Sequence, residues 1–87
     1  MARYELKISK SVAKDLRALP KQDVKRILGR IQSLADDPRP EGCEKLSGQE
    51  RYRLRQGDYR IIYEIEDHVL VVIVVKVGHR RDVYRMQ

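Results

Sequence analysis

The chain has 87 residues, with 19 Lys and Arg against 13 Asp and Glu for a formal charge of +6, and 41% hydrophobic residues that include five Tyr but no Trp or Phe. That length admits one domain over residues 1–87 with an aliphatic core and excludes two, while the single cysteine, Cys43, excludes an intrachain disulfide framework and a cysteine metal cluster. The N-terminus lacks the apolar stretch of a signal peptide, and the longest apolar run, residues 69–75, is far too short for a bilayer core of about 30 Å, so a cytoplasmic protein without membrane contact is expected. Such a charge on so short a chain points to nucleic acid or an acidic protein as partner, against the plainer reading that it serves solubility.

Residues 3–8 alternate, with Tyr4, Leu6 and Ile8 on one side and Arg3, Glu5 and Lys7 on the other, which predicts a half-buried strand. Ser9 or Ser11 can cap a helix by offering a side-chain oxygen to free backbone N–H groups. Val12, Leu16 and Leu19 follow at helical spacing until Pro20 stops that helix and suits the first turn of the next. Val24, Ile27, Leu28, Ile31, Leu34 and Ala35 then form one apolar stripe, with Lys25, Arg26, Arg30 and Gln32 elsewhere on the helix surface. Residues 36–40 end it, because neither Pro38 nor Pro40 can continue the ladder. Two amphipathic helices with almost no loop between them make an antiparallel hairpin that needs a flat surface to cover.

Residues 42–48 read as a loop, 51–55 as a strand, 56–58 as a turn, 59–65 as a strand, 66–68 as a turn, and 69–77 as a strand apolar enough to be buried on both faces. Gly78 is expected to break that strand, leaving residues 80–87 as a short basic tail. The predicted fold is α+β: an N-terminal strand and a helical hairpin packed on one face of a four-stranded antiparallel sheet. Strict reversal of direction at each element gives the order first, fourth, third, second.

Within that frame Arg51, Arg53 and Arg55 alternate with Tyr52 and Leu54, so the arginines line the face away from the helices. Arg60, just across the turn, can join them. Close guanidinium groups repel, so either an anionic ligand calls for them or they are edge charges that discourage aggregation. Near the end of the sheet, His79, Arg80 and Tyr84 add an imidazole able to exchange a proton near neutral pH, a bidentate phosphate donor and a ring that can stack on an unpaired base. Each also has a structural reading: a surface histidine, a solvated charge, a tyrosine closing the core. No His/Asp cluster with metal-ligand spacing and no cofactor motif appears.

The Leu19-Pro20 junction, Leu46-Ser47-Gly48, Tyr52-Arg53-Leu54-Arg55, the block Gly57-Asp58-Tyr59-Arg60-Ile61-Ile62-Tyr63 and the block Val77-Gly78-His79-Arg80-Arg81-Asp82-Val83-Tyr84 together resemble the RelE/ParE toxin superfamily over essentially the whole chain. Resemblance to its RelE branch implies a toxin of a type II toxin–antitoxin system, an mRNA interferase that enters the ribosomal A site. There it promotes attack of the messenger's own ribose 2′-OH on the adjacent phosphate, without metal or cofactor. The same resemblance matches Arg53, Arg55, Arg60 and Arg80 to phosphate-binding or charge-stabilising positions and Tyr84 to a substrate-orienting tyrosine. Well-known members carry lysine where this chain has Arg53 and Arg55. A crowded lysine can give up its proton and arginine essentially cannot, so proton transfer falls to His79, to Tyr84 or to no protein group. Implied partners are a RelB-like antitoxin, the ribosome and mRNA, with a free toxin that is monomeric. Two alternatives share the scaffold: a ParE-like inhibitor of DNA gyrase, and an inactive RNA-binding member.

Overall fold

A computed structural model describes residues 3–46 and 50–79. Within them the chain forms β1 (Glu5–Ile8), α1 (Lys10–Arg17), α2 (Lys21–Ser33), β2 (Glu44–Lys45), β3 (Arg51–Gln56), β4 (Tyr59–Glu66) and β5 (Val71–His79). Ser9 makes the switch from β1 to α1: its backbone stays extended while its hydroxyl accepts the Val12 N–H at 3.3 Å. Pro20 stands at the N-cap of α2, where its missing N–H leaves no bond unmade, and its carbonyl accepts from Val24 N at 3.0 Å. The apolar stripe of α2 is seated as its spacing requires, with Ile27, Ile31, Leu34 and Ala35 buried. They meet Val12 of α1 and the sheet residues Leu54, Ile61, Tyr63, Val72, Val74 and Val77 in one core. Tyr63, the largest of these, donates its hydroxyl to the Pro38 carbonyl at 2.9 Å, and burial pushes its phenol up from the usual value.

The sheet runs β1-β5-β4-β3-β2. The four expected strands stand in the expected order, with two corrections. Residues 44–45, expected as loop, form a short edge strand whose Glu44 and Lys45 face Arg53 and Tyr52 across β3. In addition, β1 lies parallel to β5, with Glu5 opposite Val71 and Ile8 opposite Val74; the sheet is therefore mixed rather than wholly antiparallel. The second correction follows from the first, because the unrecognised strand adds one reversal of direction and so flips the sense of everything after it.

Several boundaries move: β1 starts at Glu5, β3 and β4 each run one residue further to Gln56 and Glu66, and the last strand shifts at both ends. Val69 and Leu70 belong to the turn before β5 and are exposed, Leu70 with a φ of 55°. Gly78 does not break the final strand: it pairs with Arg60, and the ladder continues to His79 opposite Tyr59. The expected basic tail over residues 80–87 lies outside the described residues.

Polar ties hold the layers. The Lys76 ammonium meets Asp15 of α1 at 3.0 Å, both side chains largely covered. At the far end of the β3–β4 hairpin, Arg39 donates to both Asp67 oxygens at 3.1 and 2.8 Å and to Tyr52 Oη at 3.3 Å, and its guanidinium lies 5.3 Å from the Tyr52 ring centroid. Tyr4 Oη donates to the same Asp67 at 2.8 Å. One aspartate thus joins the residue before β1, the segment leaving α2 and the β4–β5 turn.

Candidate active site

Gln56 faces Tyr59 across a two-residue turn in which Gly57 has a φ of 59°, the positive value that primed hairpin turns require. That tight connection fixes the register and places Arg55 directly opposite Arg60. Cross-strand partners share a face, so the two guanidinium side chains leave the sheet side by side. Arg53, two residues along β3, leaves from the same face, and Glu44 of β2 stands opposite it.

These residues line a single hollow of about 380 Å³ with Arg30 of α2, Gly42 and Leu54. Arg60 is 8% exposed, the only buried charged residue among the described residues. Its guanidinium donates to its neighbour's carbonyl, Tyr59 O, at 3.2 Å and meets no carboxylate among the described residues. Arg55 reaches only the Gly57 carbonyl, at 3.5 Å. Arg53 is paired with the Glu44 carboxylate, the one acidic group lining the hollow. Burying an uncompensated cation is expensive, and an anion arriving in the hollow removes that penalty. The fixed, planar forks of adjacent arginines suit the oxygens of a phosphate better than those of any single-point acceptor.

The geometry separates His79 from this group. As the partner of Tyr59 it leaves the sheet on the helix side, its ring edge-on to the Tyr59 ring at 6.0 Å. It lines a second hollow, of about 200 Å³, with Asp23, Arg26, Gln56 and Asp58. There Tyr59 Oη donates to Asp23 at 2.9 Å, and that carboxylate, with burial second, pushes the phenol up from its usual value. Arg53, Arg55 and Arg60 therefore come together, His79 stands across the ladder from them, and Arg80 and Tyr84 lie outside the described residues.

Two lining residues escaped the sequence reading. Arg30 counted as one of several polar positions on α2; its place one residue before Ile31, at the border of the apolar stripe, was the available signal. Glu44 sat in a segment read as loop. Among the described residues no group of three or more His, Cys, Asp or Glu is placed to hold a metal ion, and no helix is long and apolar enough to cross a membrane.

An α+β domain with clustered arginines beside its sheet has a lining suited to anions, and comparison with known proteins gives that scaffold a family. The model describing the ParE toxin of type II toxin–antitoxin systems matches residues 6–84. Toxin RelG of Mycobacterium tuberculosis is 28% identical over 86 residues, covering 94% of this chain and 97% of that protein. The archaeal RelE–RelB complex from Pyrococcus horikoshii superposes with a TM-score of 0.81 at 36% identity, over 92% of this chain and 97% of that one. The E. coli RelBE toxin–antitoxin complex gives a TM-score of 0.74 at 29% identity, over 87% and 95% of the two chains. The chain belongs to the RelE/ParE toxin family and is a RelE-like toxin of the type II toxin–antitoxin class.

Proposed function

We propose that the protein is a ribosome-dependent endoribonuclease that cleaves mRNA by metal-independent attack of the ribose 2′-OH on the adjacent phosphate. The observation that carries this reading is the buried guanidinium of Arg60, without a carboxylate partner among the described residues and beside Arg55 in the shared hollow. The 2′-oxygen bonds to phosphorus as the bond to the 5′-oxygen breaks, the 2′-OH proton passing to water and the departing 5′-oxygen taking one up from it, while negative charge gathers on the phosphate oxygens. Donors already fixed around those oxygens stabilise the charge as it forms, without reorganising at the moment of reaction. Arg60 and Arg55 hold the reacting phosphate, and Arg53, paired with Glu44 until the strand arrives, supports the same charge. Following the family resemblance, Arg80 supplies a further phosphate contact and Tyr84 orients or stacks on a base. His79 takes no proton in this scheme, because it is grouped with Tyr59 and Asp23 across the ladder. The ribosome holds the 2′-OH in line with the leaving oxygen, a contribution that positioning alone makes large and that explains the dependence on it.

A RelB-like antitoxin is the expected silencing partner, as in the RelE–RelB complexes to which the chain is similar. An acidic, extended or helical segment laid over the arginines would neutralise them. The name of the matching family model favours a second reading, inhibition of DNA gyrase by a protein with no chemistry of its own. Purified protein added to programmed ribosomes separates the two. Fragments ending in a 5′-OH and a 2′,3′-cyclic or 3′ phosphate support the nuclease. Intact mRNA together with blocked DNA supercoiling supports the gyrase inhibitor.

A further inference from the structure

We propose that Arg30 of α2 is a substrate-positioning residue that binds a second phosphate of the RNA strand, next to the one that reacts. This deepens the nuclease reading and rests on it. Arg30 stands one residue before Ile31, so its side chain leaves α2 at the edge of the buried stripe rather than on the outer surface where Lys25 and Arg26 are exposed. It is half-buried and lines the hollow with Arg53, Arg55 and Arg60. Apart from Arg60 itself, the other covered cations among the described residues have acids beside them: Lys76 meets Asp15 and Arg53 meets Glu44. Outside the ladder of α2, the backbone carbonyl of Arg30 accepts from the Ser33 hydroxyl at 2.6 Å. Its guanidinium meets no carboxylate or carbonyl among the described residues.

Charge balance carries the step from there. A phosphodiester bears one negative charge. Among the described residues Arg30, Arg55 and Arg60 are three cations without acids, and Arg53 is already matched by Glu44. One phosphate on Arg55 and Arg60 leaves Arg30 uncompensated, whereas a strand brings a second phosphate one nucleotide away. The contributions also differ in origin. Arg55 and Arg60 are locked together by the β3–β4 ladder, while Arg30 comes from a helix packed over β3. Arg30 therefore sets where the strand lies and takes no part in bond making.

The test is single-turnover cleavage on programmed ribosomes, using wild type, Arg30→Gln and Arg30→Lys, with mRNAs that carry a neutral methylphosphonate at each phosphate flanking the cut. Gln keeps the helix propensity of the site and removes only the charge. Arg30→Gln is expected to raise the half-saturating toxin concentration about tenfold, leave the saturated rate within about twofold, and flatten the salt dependence by roughly one phosphate contact. Arg30→Lys restores most of the binding. One flanking methylphosphonate should weaken wild type by a similar factor and Arg30→Gln hardly at all. Unchanged half-saturation in Arg30→Gln, or equal penalties in both proteins at every flanking position, overturns the assignment while leaving the nuclease standing. A wild type that cuts no mRNA overturns both together.

Discussion

At one end of the β3–β4 hairpin Arg39 is matched at every turn, with two bonds to Asp67, one to the Tyr52 hydroxyl, and the Tyr52 ring beneath it. At the other end Arg60 is more deeply buried, faces Arg55 across the ladder, and among the described residues donates only to the carbonyl beside it. The Asp67 and Tyr52 contacts raise the pKa of Arg39 and make its charge part of the fold. The charge of Arg60 is held against the fold's interest. The difference teaches how to read arginine in a small basic domain: a matched guanidinium ties elements together, and an unmatched one is the candidate for binding an anion.

The most severe way to break the comparison is at Arg60. Arg60→Gln should slow single-turnover mRNA cleavage a hundredfold or more, as loss of one preformed donor to a developing oxyanion does. Its melting temperature should stay level or rise, because an unpaired buried cation is removed; a large fall in melting temperature with cleavage intact would reverse the roles assigned to the two ends.

Arg39→Ala is expected to give the opposite pattern. Loss of an exposed but bidentate pair costs about 1 kcal/mol, a shift of roughly 4–8 °C for a domain of this size, with the cleavage rate of the folded protein unchanged. Thermal melts beside cleavage assays check this.

Acid sharpens the same contrast. Hydrogen bonds from Arg39 and Tyr4 hold the Asp67 carboxyl down at about 2, below its usual 3.8. A carboxylate bound more weakly to protons in the folded state stabilises that state above its unfolded pKa and loses this contribution as pH falls toward the folded one. Stability should therefore drop between about pH 4 and pH 2, and denaturant melts of Asp67→Asn should lack that component. The smallest effect is expected at Glu44. Removing the acid that competes for Arg53 by Glu44→Ala should tighten binding to ribosome-bound mRNA about two- to threefold, and weaker binding would show that Glu44 serves chiefly to orient Arg53.

What could be read in advance follows from the length of each signal. The stripe from Val24 to Ala35 repeats often enough to define α2 and its buried face, and the arginine alternation in β3 is fixed once Leu54 is assigned to the core. A two-residue strand has no period to detect, so Glu44 and Lys45 were missed, and with them the parity that makes β1 parallel to β5. Val69 and Leu70 are as apolar as the residues that follow, and composition could not separate the turn from the strand. Arg55 and Arg60 could be grouped because a short turn joins their strands. His79 was grouped with the arginines by its nearness to Arg80 in sequence. Only the register past the irregularity at Ile62 and Tyr63 reveals that it faces the helices instead.

The parallel pairing of β1 with β5 also sets the order in which the molecule can come into being. The first strand finds its neighbour only after the helices and every other described strand have been made, and contacts this distant in sequence are the slowest to form, so this edge of the sheet closes last.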